Sequence, residues 1–172
     1  MTPPPSRHAS LADRFSTRRA REESTAAGIY GVIVGSAVMS ASHADSAAAV
    51  TAAVLVTLVI YWGAERYARL VAERIHEGRR PTWRQVRVQL ATGWEMVTAS
   101  ALPLAVLGVL YALGADLDVA VLWALVCSTL LLCLAGWEVG RHGQLTRLER
   151  VTSAAVAGLF GVFLILLKAL LH

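Results

Sequence analysis

The chain has 172 residues, a hydrophobic share of 56% and a formal net charge of +4. Ordinary soluble domains carry more charge and shorter apolar runs, so this composition excludes a typical soluble domain and is typical of an integral membrane protein. Arginine supplies nearly all of the basic excess, and the arginines stand beside apolar segments rather than in a nucleic-acid-binding motif. We therefore expect the lipid bilayer as a partner and no binding of nucleic acid.

The chain begins with a Pro- and Arg-rich stretch of little apolar content, residues 1–24. It lacks the short apolar core and cleavage site of a secretory signal, so we predict a flexible basic cytosolic tail with a short surface helix at 11–21. The first apolar span covers about 25–42. It contains Gly31-x-x-x-Gly35, a spacing that lets another helix approach closely.

Four further apolar segments follow, at about 47–69, 91–113, 119–139 and 151–171. A membrane-spanning helix needs about 20 mostly apolar residues, and each segment has that length. Pro103 predicts a kink in the third span, and Thr146-x-x-Glu149 predicts a capping box before the fifth. The fold class expected is an all-α integral membrane protein, with the tail at 1–24 and a five-helix transmembrane domain at 25–172.

The distribution of arginine predicts the orientation of these spans. The tail, the second connection and the fourth connection are rich in arginine. The first and third contain no arginine or lysine, and their charged residues are Asp45, Asp116 and Asp118. Because arginine is enriched on the cytoplasmic side, we predict a cytoplasmic N-terminus and an external C-terminus. Lys168 then lies at the outer side, where its stem can reach the interface. The location expected is the plasma membrane of a bacterium, as a multi-pass protein.

Three glutamates, Glu65, Glu95 and Glu138, stand near the predicted cytoplasmic ends of spans. A carboxylate within a span is costly, so it usually faces the bundle interior, a partner or water. Three carboxylates in one layer could bind a divalent metal ion as a transported substrate or relay protons. We predict Glu95 to be the deepest of the three and the most important. The alternative is that all three are interfacial residues, balanced by nearby arginines.

The second helix continues into a charged segment that offers a weaker metal-ligand candidate. Glu73 and His76 are three residues apart and share one helical face, as in carboxylate metal sites. The alternative is a solvated ladder of salt bridges at four-residue spacing, formed by Glu65, Arg69, Glu73 and Glu77. His142 lies four residues after Glu138 and could join a metal site, although an exposed loop histidine is the simpler interpretation.

Neither the cysteines nor any other motif indicates an enzyme. Cys127 and Cys133 both stand in an apolar segment, without metal-ligand or disulfide-framework spacing, and we interpret them as packing residues. The sequence contains no nucleophile–base pair and no glycine-rich phosphate-binding loop. We therefore expect a protein that is not an enzyme.

The order of these features resembles the vacuolar iron transporter family. That family's first helix reads I-x-G-x-x-D-G, and here Ile29, Gly31, Val34 and Gly35 stand at those places, with valine in place of aspartate. Its second helix carries S-M-x-x-G-E-Y, which resembles the run from Gly63 to Tyr67 with Glu65, but without the methionine. Pro103-Leu104 resembles a Pro-Leu element of its third helix, and residues 136–141 resemble the end of its fourth. About ten loop residues replace the family's cytosolic metal-binding insertion.

The resemblance implies a five-helix membrane fold and the transport of metal ions. Our first functional hypothesis is a small divalent-cation or proton-coupled transporter-like protein. It would act as a homo-oligomer, most simply a dimer, because five thin helices can barely enclose a pathway alone. The second hypothesis is a non-transporting membrane scaffold or subunit that uses an arginine-rich cytoplasmic face to hold a partner or anionic lipid.

Overall fold

A computed structural model describes the backbone of residues 7–77, 87, 94–142 and 146–171, and the side chains of 24–72, 87, 94–138, 141 and 146–170. These residues form helices and turns, with no strand among them. In chain order the helices are α1 (Arg7–Ala41), α2 (Ala47–Glu77), α3 (Glu95–Thr98), α4 (Ala101–Ala112), α5 (Leu117–His142) and α6 (Arg147–Leu171). Helices α3 and α4 together form one apolar stretch.

Five stretches of this fold are long and apolar enough to cross a membrane. They are Ser24–Ala41, Ala47–Ala72, Glu95–Ala112, Leu117–Glu138 and Arg147–Leu170. The prediction of an all-α fold with five such helices is confirmed. The predicted bounds agree to within a few residues. The exception is the predicted start of the third span, at about residue 91, which lies outside the described residues.

Helix α1 begins much earlier than the first apolar span. It runs without a break from Arg7 to Ala41, whereas the sequence predicted a flexible tail with only a short helix at 11–21. The longer helix has a local cause, because no proline or glycine occurs between Arg7 and Ala27 and the segment is rich in Ala, Arg and Glu. These residues have high helix propensity.

Capping side chains fix the starts of α2 and α6. The Ala49 backbone N–H donates to Ser46 Oγ at 3.3 Å, which caps the start of α2. Before α6, the Thr146 N–H donates to Glu149 Oε2 at 2.8 Å and the Glu149 N–H donates back to Thr146 Oγ1 at 3.4 Å. This reciprocal pair confirms the predicted capping box, because each side chain satisfies the other residue's backbone donor.

The third apolar stretch is interrupted at Ala99 and Ser100, which form a turn between α3 and α4. Pro103 explains the interruption. Proline has no N–H to donate to the carbonyl four residues earlier, here that of Ala99. Regular bonding resumes one residue later, where the Leu104 N–H donates to the Ser100 carbonyl at 3.1 Å. The predicted kink at Pro103 therefore takes the form of a short break in the helix.

Helix α1 lies at the centre of the bundle and contacts α2, α3, α5 and α6. The four-residue spacing of Val50, Val54 and Leu58 places these side chains on one face of α2, and all three are buried. They belong to the same apolar core as Met39 of α1 and Leu107 of α4. The core thus holds α2 and the interrupted helix against α1.

An ion pair joins the opposite ends of α5 and α6. Lys168 Nζ lies 3.0 Å from Asp118 Oδ1, and Lys168 is only 8% exposed. Asp118 stands in the first turn of α5 and Lys168 in the last turn of α6, so each charge also complements the dipole of its own helix. The lysine stem therefore extends to a partner on the neighbouring helix, which the sequence did not predict.

Candidate functional site

The candidate site lies where α1, α2 and the interrupted helix meet. Gly31 and Gly35 of α1 face this contact. A β-carbon added at Gly31 would collide with the Met96 carbonyl, and one added at Gly35 would lie 2.9 Å from Ser100 Oγ. The predicted close helix approach at Gly31-x-x-x-Gly35 is confirmed, and the helix that approaches is the chain's own α3.

One buried hydrogen bond ties the break to α1. Ser100 Oγ donates to the Gly31 carbonyl at 3.0 Å, across 69 positions of sequence. Ser100 is 1% exposed, so this bond forms inside the bundle. A residue within the break therefore anchors the interruption to the central helix. Sequence analysis did not single out Ser100; a hydroxyl residue three positions before a proline within an apolar stretch was the available signal.

Helix α2 meets the start of α3 through two tryptophans. The rings of Trp62 and Trp94 pack edge to face, with centroids 5.5 Å apart and an interplanar angle of 87°. This geometry is a favourable one for aromatic pairs. Glu65 follows Trp62 by three residues, which is about 4.5 Å along the helix axis. The contact therefore brings the Glu65 turn of α2 close to the interrupted helix.

The two carboxylate oxygens of Glu65 have different surroundings. Oε1 accepts a hydrogen bond from Arg69 Nη2 at 2.7 Å, one turn further along α2. Oε2 is buried and accepts no hydrogen bond from the residues that the structure describes. The Glu65 side chain as a whole is 26% exposed. A buried acceptor without a donor is costly, so this oxygen is the least satisfied atom among the predicted site residues whose side chains the structure describes.

Glu95 and Glu138 lie on the outside of the bundle, where both are exposed. That Glu95 lies deepest of the three glutamates in the membrane stays a prediction, but within the bundle its side chain is exposed. The reason is its position beside Met96, which is buried against α1. Successive residues of a helix point about 100° apart, so Glu95 is turned away from the contact that buries its neighbour.

The described part of the chain contains no group of three or more His, Cys, Asp or Glu side chains that could hold a metal ion. Glu65, Glu95 and Glu138 therefore do not form such a group with one another. Glu73 and His76 belong to α2, and His142 is the last residue of α5, but the side chains of all three lie outside the described set. Their proposed role as ligands stays a prediction.

A second close contact, between α5 and α6, was missed by the sequence analysis. A β-carbon at Gly136 would lie 2.8 Å from the Ser153 carbonyl, and one at Gly158 would lie 2.7 Å from Cys133 Sγ. Further along, Gly161 packs against the side chain of Thr129. The available signal was the spacing of these small residues along the two helices. Cys133 serves here as the small packing residue that was predicted.

Comparison with known proteins adds no assignment to this geometry. No protein-family model matches the chain, and neither a curated protein nor a solved structure does. The resemblance to the vacuolar iron transporters therefore stays a prediction. Three of the elements that carry it, Gly31-x-x-x-Gly35, Glu65 and Pro103-Leu104, lie at or near the junction of α1, α2 and the interrupted helix.

Proposed function

We propose that the five apolar helices cross the plasma membrane of a bacterium, with the N-terminus in the cytoplasm and the C-terminus outside. Support for insertion comes from the outer surface of the bundle, which carries large exposed apolar side chains on every long helix. Such surfaces suit a lipid environment and are unfavourable in water. Support for the orientation comes from the arginines of the tail and of the second and fourth connections.

Thiol labelling in whole cells tests this arrangement. The variants His43→Cys and Asp116→Cys place cysteines at exposed positions of the first and third connections, and Leu148→Cys places one at an exposed position after the fourth. Cys127 and Cys133 are first replaced by alanine. An impermeant reagent should label the first two variants and spare the third until the cells are opened. If only Leu148→Cys is labelled, the orientation is the opposite of the one proposed. Equal labelling of all three variants would refute insertion.

We infer that the protein is a proton-coupled carrier and that Glu65 is its proton-binding residue. The observation that carries this proposal is the buried Glu65 Oε2, which lacks a hydrogen-bond donor among the described residues. A proton on this oxygen would neutralise the carboxyl group and end the need for the Arg69 ion pair. Intramembrane carboxylates that face a bundle interior commonly mark proton or ion pathways. The proposal concerns a carrier rather than an enzyme.

The position of Glu65 beside an interrupted helix supports the same proposal. In many carriers an interrupted helix lies at the substrate or ion site, because the helix ends and unwound carbonyls at the break can bind the ligand. Here the break at Ala99 and Ser100 packs against α1, and the Trp62–Trp94 contact connects it to the Glu65 helix. A proton needs one carboxylate, whereas a divalent cation needs several oxygen ligands. The residues at this junction therefore favour a proton over a metal ion as the coupling species.

Proton flux into liposomes tests the role of Glu65. Purified protein is reconstituted with a pH-sensitive dye inside the vesicles, and a potassium diffusion potential drives proton entry. Glu65→Gln should abolish the protein-dependent flux. The amide has the same shape as the carboxyl group but cannot take up a proton at the pH of the assay. Arg69→Gln is the matched control, since it removes the same ion pair and leaves the carboxyl group in place. It should retain flux.

The outcomes separate the competing interpretations. Loss of flux in both variants would mean that the ion pair, rather than the carboxyl group, is required. Normal flux in Glu65→Gln together with loss of flux in Glu95→Gln would assign the proton-binding role to Glu95. Flux that appears only with iron, manganese or zinc would favour the divalent-cation hypothesis that the family resemblance implies.

A second candidate function, a membrane scaffold, is favoured by the lengths of α1 and α2. Helix α1 has 35 residues and its apolar stretch only 18, and α2 has 31 residues and an apolar stretch of 26. A helix of 35 residues is about 52 Å long, well beyond the roughly 30 Å hydrocarbon core. Because a short turn joins α1 to α2, the excess of both helices lies at the same end. The sequence of that end is rich in arginine.

An arginine-rich projection of this kind suits an anionic lipid surface or an acidic partner protein. Replacing Arg14, Arg18, Arg19 and Arg21 by Gln distinguishes the two functions. The carrier should keep its flux in this variant, whereas a scaffold should lose its partner. A homodimer also remains part of the proposal, with the mass of the detergent-solubilised protein as its test. Gly31 and Gly35 are not available to form it, because both face the interrupted helix of the same chain, Gly31 at Met96 and Gly35 at Ser100.

A further inference from the structure

A groove of about 450 Å³ runs along the outside of the bundle between α1, α5 and α6. Apolar side chains form most of its wall, among them Ile33, Leu132, Val156 and Phe160. The Glu149 turn of α6, with the hydroxyl residues Thr152 and Ser153, forms the remainder. The groove therefore has an apolar body and a polar end that carries one negative charge.

The dimensions of the groove match a single leaflet of a bilayer. From Glu149 to Phe160 the wall follows α6 for eleven residues, or about 16 Å at the helical rise. Half of a hydrocarbon core of roughly 30 Å is nearly the same length. The polar end lies at the start of α6, where a membrane-spanning helix leaves the headgroup region. Val156 and Phe160 are more than half exposed, at 56% and 54%, so the groove opens sideways toward the lipid side.

We propose that this groove binds one phospholipid whose headgroup carries a primary ammonium, as in phosphatidylethanolamine. An acyl chain would lie along Ile33, Leu132 and Phe160, and the ammonium would donate to the Glu149 carboxylate. Thr146 donates its N–H and its hydroxyl to Glu149 Oε2, both at 2.8 Å, and Oε1 takes neither of these bonds. The capping box thus holds the carboxylate at the polar end of the groove, and Thr146 bonds to only one of its two oxygens.

Charge complementarity selects this class of lipid. An anionic headgroup without an amine would bring its phosphate close to Glu149 and would offer that carboxylate no cationic partner. A zwitterionic headgroup presents an ammonium to Glu149, while its phosphate can meet the exposed Arg147, two residues earlier. An exposed pair of opposite charges changes affinity by roughly two- to fivefold. The proposal rests on the membrane insertion proposed above and adds to it a defined lipid site.

Native mass spectrometry of protein taken from vesicles with equal amounts of phosphatidylethanolamine and phosphatidylglycerol tests the proposal. The wild-type protein should retain one lipid, enriched in phosphatidylethanolamine by roughly two- to fivefold over the vesicle. Glu149→Gln should lose this enrichment while the helix end stays folded, because glutamine also closes a capping box. Val156→Trp fills the groove and should lose the lipid itself. Val162→Trp is the matched control, since Val162 is 47% exposed on the same helix but does not line the groove.

Each contrary result has a distinct meaning. Equal enrichment in wild-type protein and Glu149→Gln would refute the headgroup assignment, and equal lipid retention by the two tryptophan variants would refute the groove. A wild-type dimer that Val156→Trp converts to a monomer would show that a second copy of the chain fills the groove, and would overturn the proposal. Protein that is released from membranes by carbonate would refute insertion and the lipid site together. Protein that stays in the membrane without enrichment would refute the lipid site alone.

Discussion

Two helix contacts in this protein use glycine to bring backbones close, and they differ in whether the helices that meet are continuous. In the α1–α3 contact, Gly31 meets the backbone of an interrupted helix, and a hydrogen bond from Ser100 crosses to the same glycine. In the α5–α6 contact, both helices are continuous where they meet. There Gly158 and Gly161 meet the small side chains of Cys133 and Thr129.

This difference is the reason for placing the proposed function at the α1–α3 contact and not at the α5–α6 contact. The α5–α6 contact is a means of packing two helices, and its hydroxyl groups return to their own helix, as in the 2.8 Å bond from Thr129 Oγ1 to the Leu125 carbonyl. The α1–α3 contact places a broken turn beside a helix that carries a carboxylate with a buried, unbonded oxygen. The α1–α3 contact is distinguished by the broken backbone of the third stretch and by the Glu65 oxygen that accepts no hydrogen bond, rather than by its glycines.

The largest effect expected is that of Gly31→Ala. The added methyl group would collide with the Met96 carbonyl, and a backbone atom cannot move aside as a side chain can. We expect a loss of about 2–3 kcal/mol in the free energy of unfolding, at the upper end of the range for overpacking. Thermal unfolding in detergent measures this. Gly108→Ala is the control, because nothing lies within 4 Å of that position; it should be neutral or stabilise by up to about 1 kcal/mol. Equal stability of the two variants would mean that α3 does not pack against Gly31.

A smaller loss is expected at the other contact, from Gly136→Ala. Its methyl group would lie 2.8 Å from the Ser153 carbonyl and 3.1 Å from Ala157 Cβ. Two continuous helices can separate slightly to accommodate the methyl group, so we expect the free energy of unfolding to fall by about 1–2 kcal/mol. The same unfolding measurement gives this value, and proton flux per folded molecule should be unchanged. A loss of flux at normal stability would place function in the α5–α6 contact and remove the distinction between the regions.

The smallest effect separates a hydrogen bond between helices from one within a helix. Ser100→Ala removes the bond to the Gly31 carbonyl and should cost about 1 kcal/mol. Ser128→Ala is its matched control, since Ser128 is equally buried but donates only to the Ala124 carbonyl of its own helix, at 3.0 Å. That variant should be close to neutral in chemical unfolding. If the two variants unfold alike, the bond from Ser100 does not anchor the break.

The parts of the fold that depend on local sequence could be predicted. The lengths of the apolar segments predicted the five helices, and Thr146-x-x-Glu149 predicted the capping box. Pro103 predicted the kink that the structure shows as a break in the third stretch. The extension of α1 to Arg7 was missed because the Pro- and Arg-rich composition was weighed above the helix propensity of residues 7–24. The Lys168–Asp118 pair was missed because it joins residues from two helices whose spatial relation no local pattern contains.

The candidate site shows the same limit. Its candidate residues were predicted, and Glu65 was among them, but the exposure of each side chain was not. Exposure is decided by rotation about the helix axis, which directs Met96 inward and Glu95 outward. Rotation depends on which face of α3 meets Gly31, and this is a property of the packed bundle rather than of the segment.

Infrared spectroscopy of the reconstituted protein tests most directly the claim that Glu65 takes up a proton. Spectra recorded before and after acidification are compared between wild-type protein and Glu65→Gln, so that the difference isolates this one carboxyl group. We predict that one component of the protonated carboxyl stretch appears in the wild type and in Arg69→Gln, shifts in heavy water and is missing from Glu65→Gln, where the other carboxyl groups still contribute. Identical spectra of the wild type and Glu65→Gln would contradict the account, because Glu65 would then remain an ionised partner of Arg69 throughout.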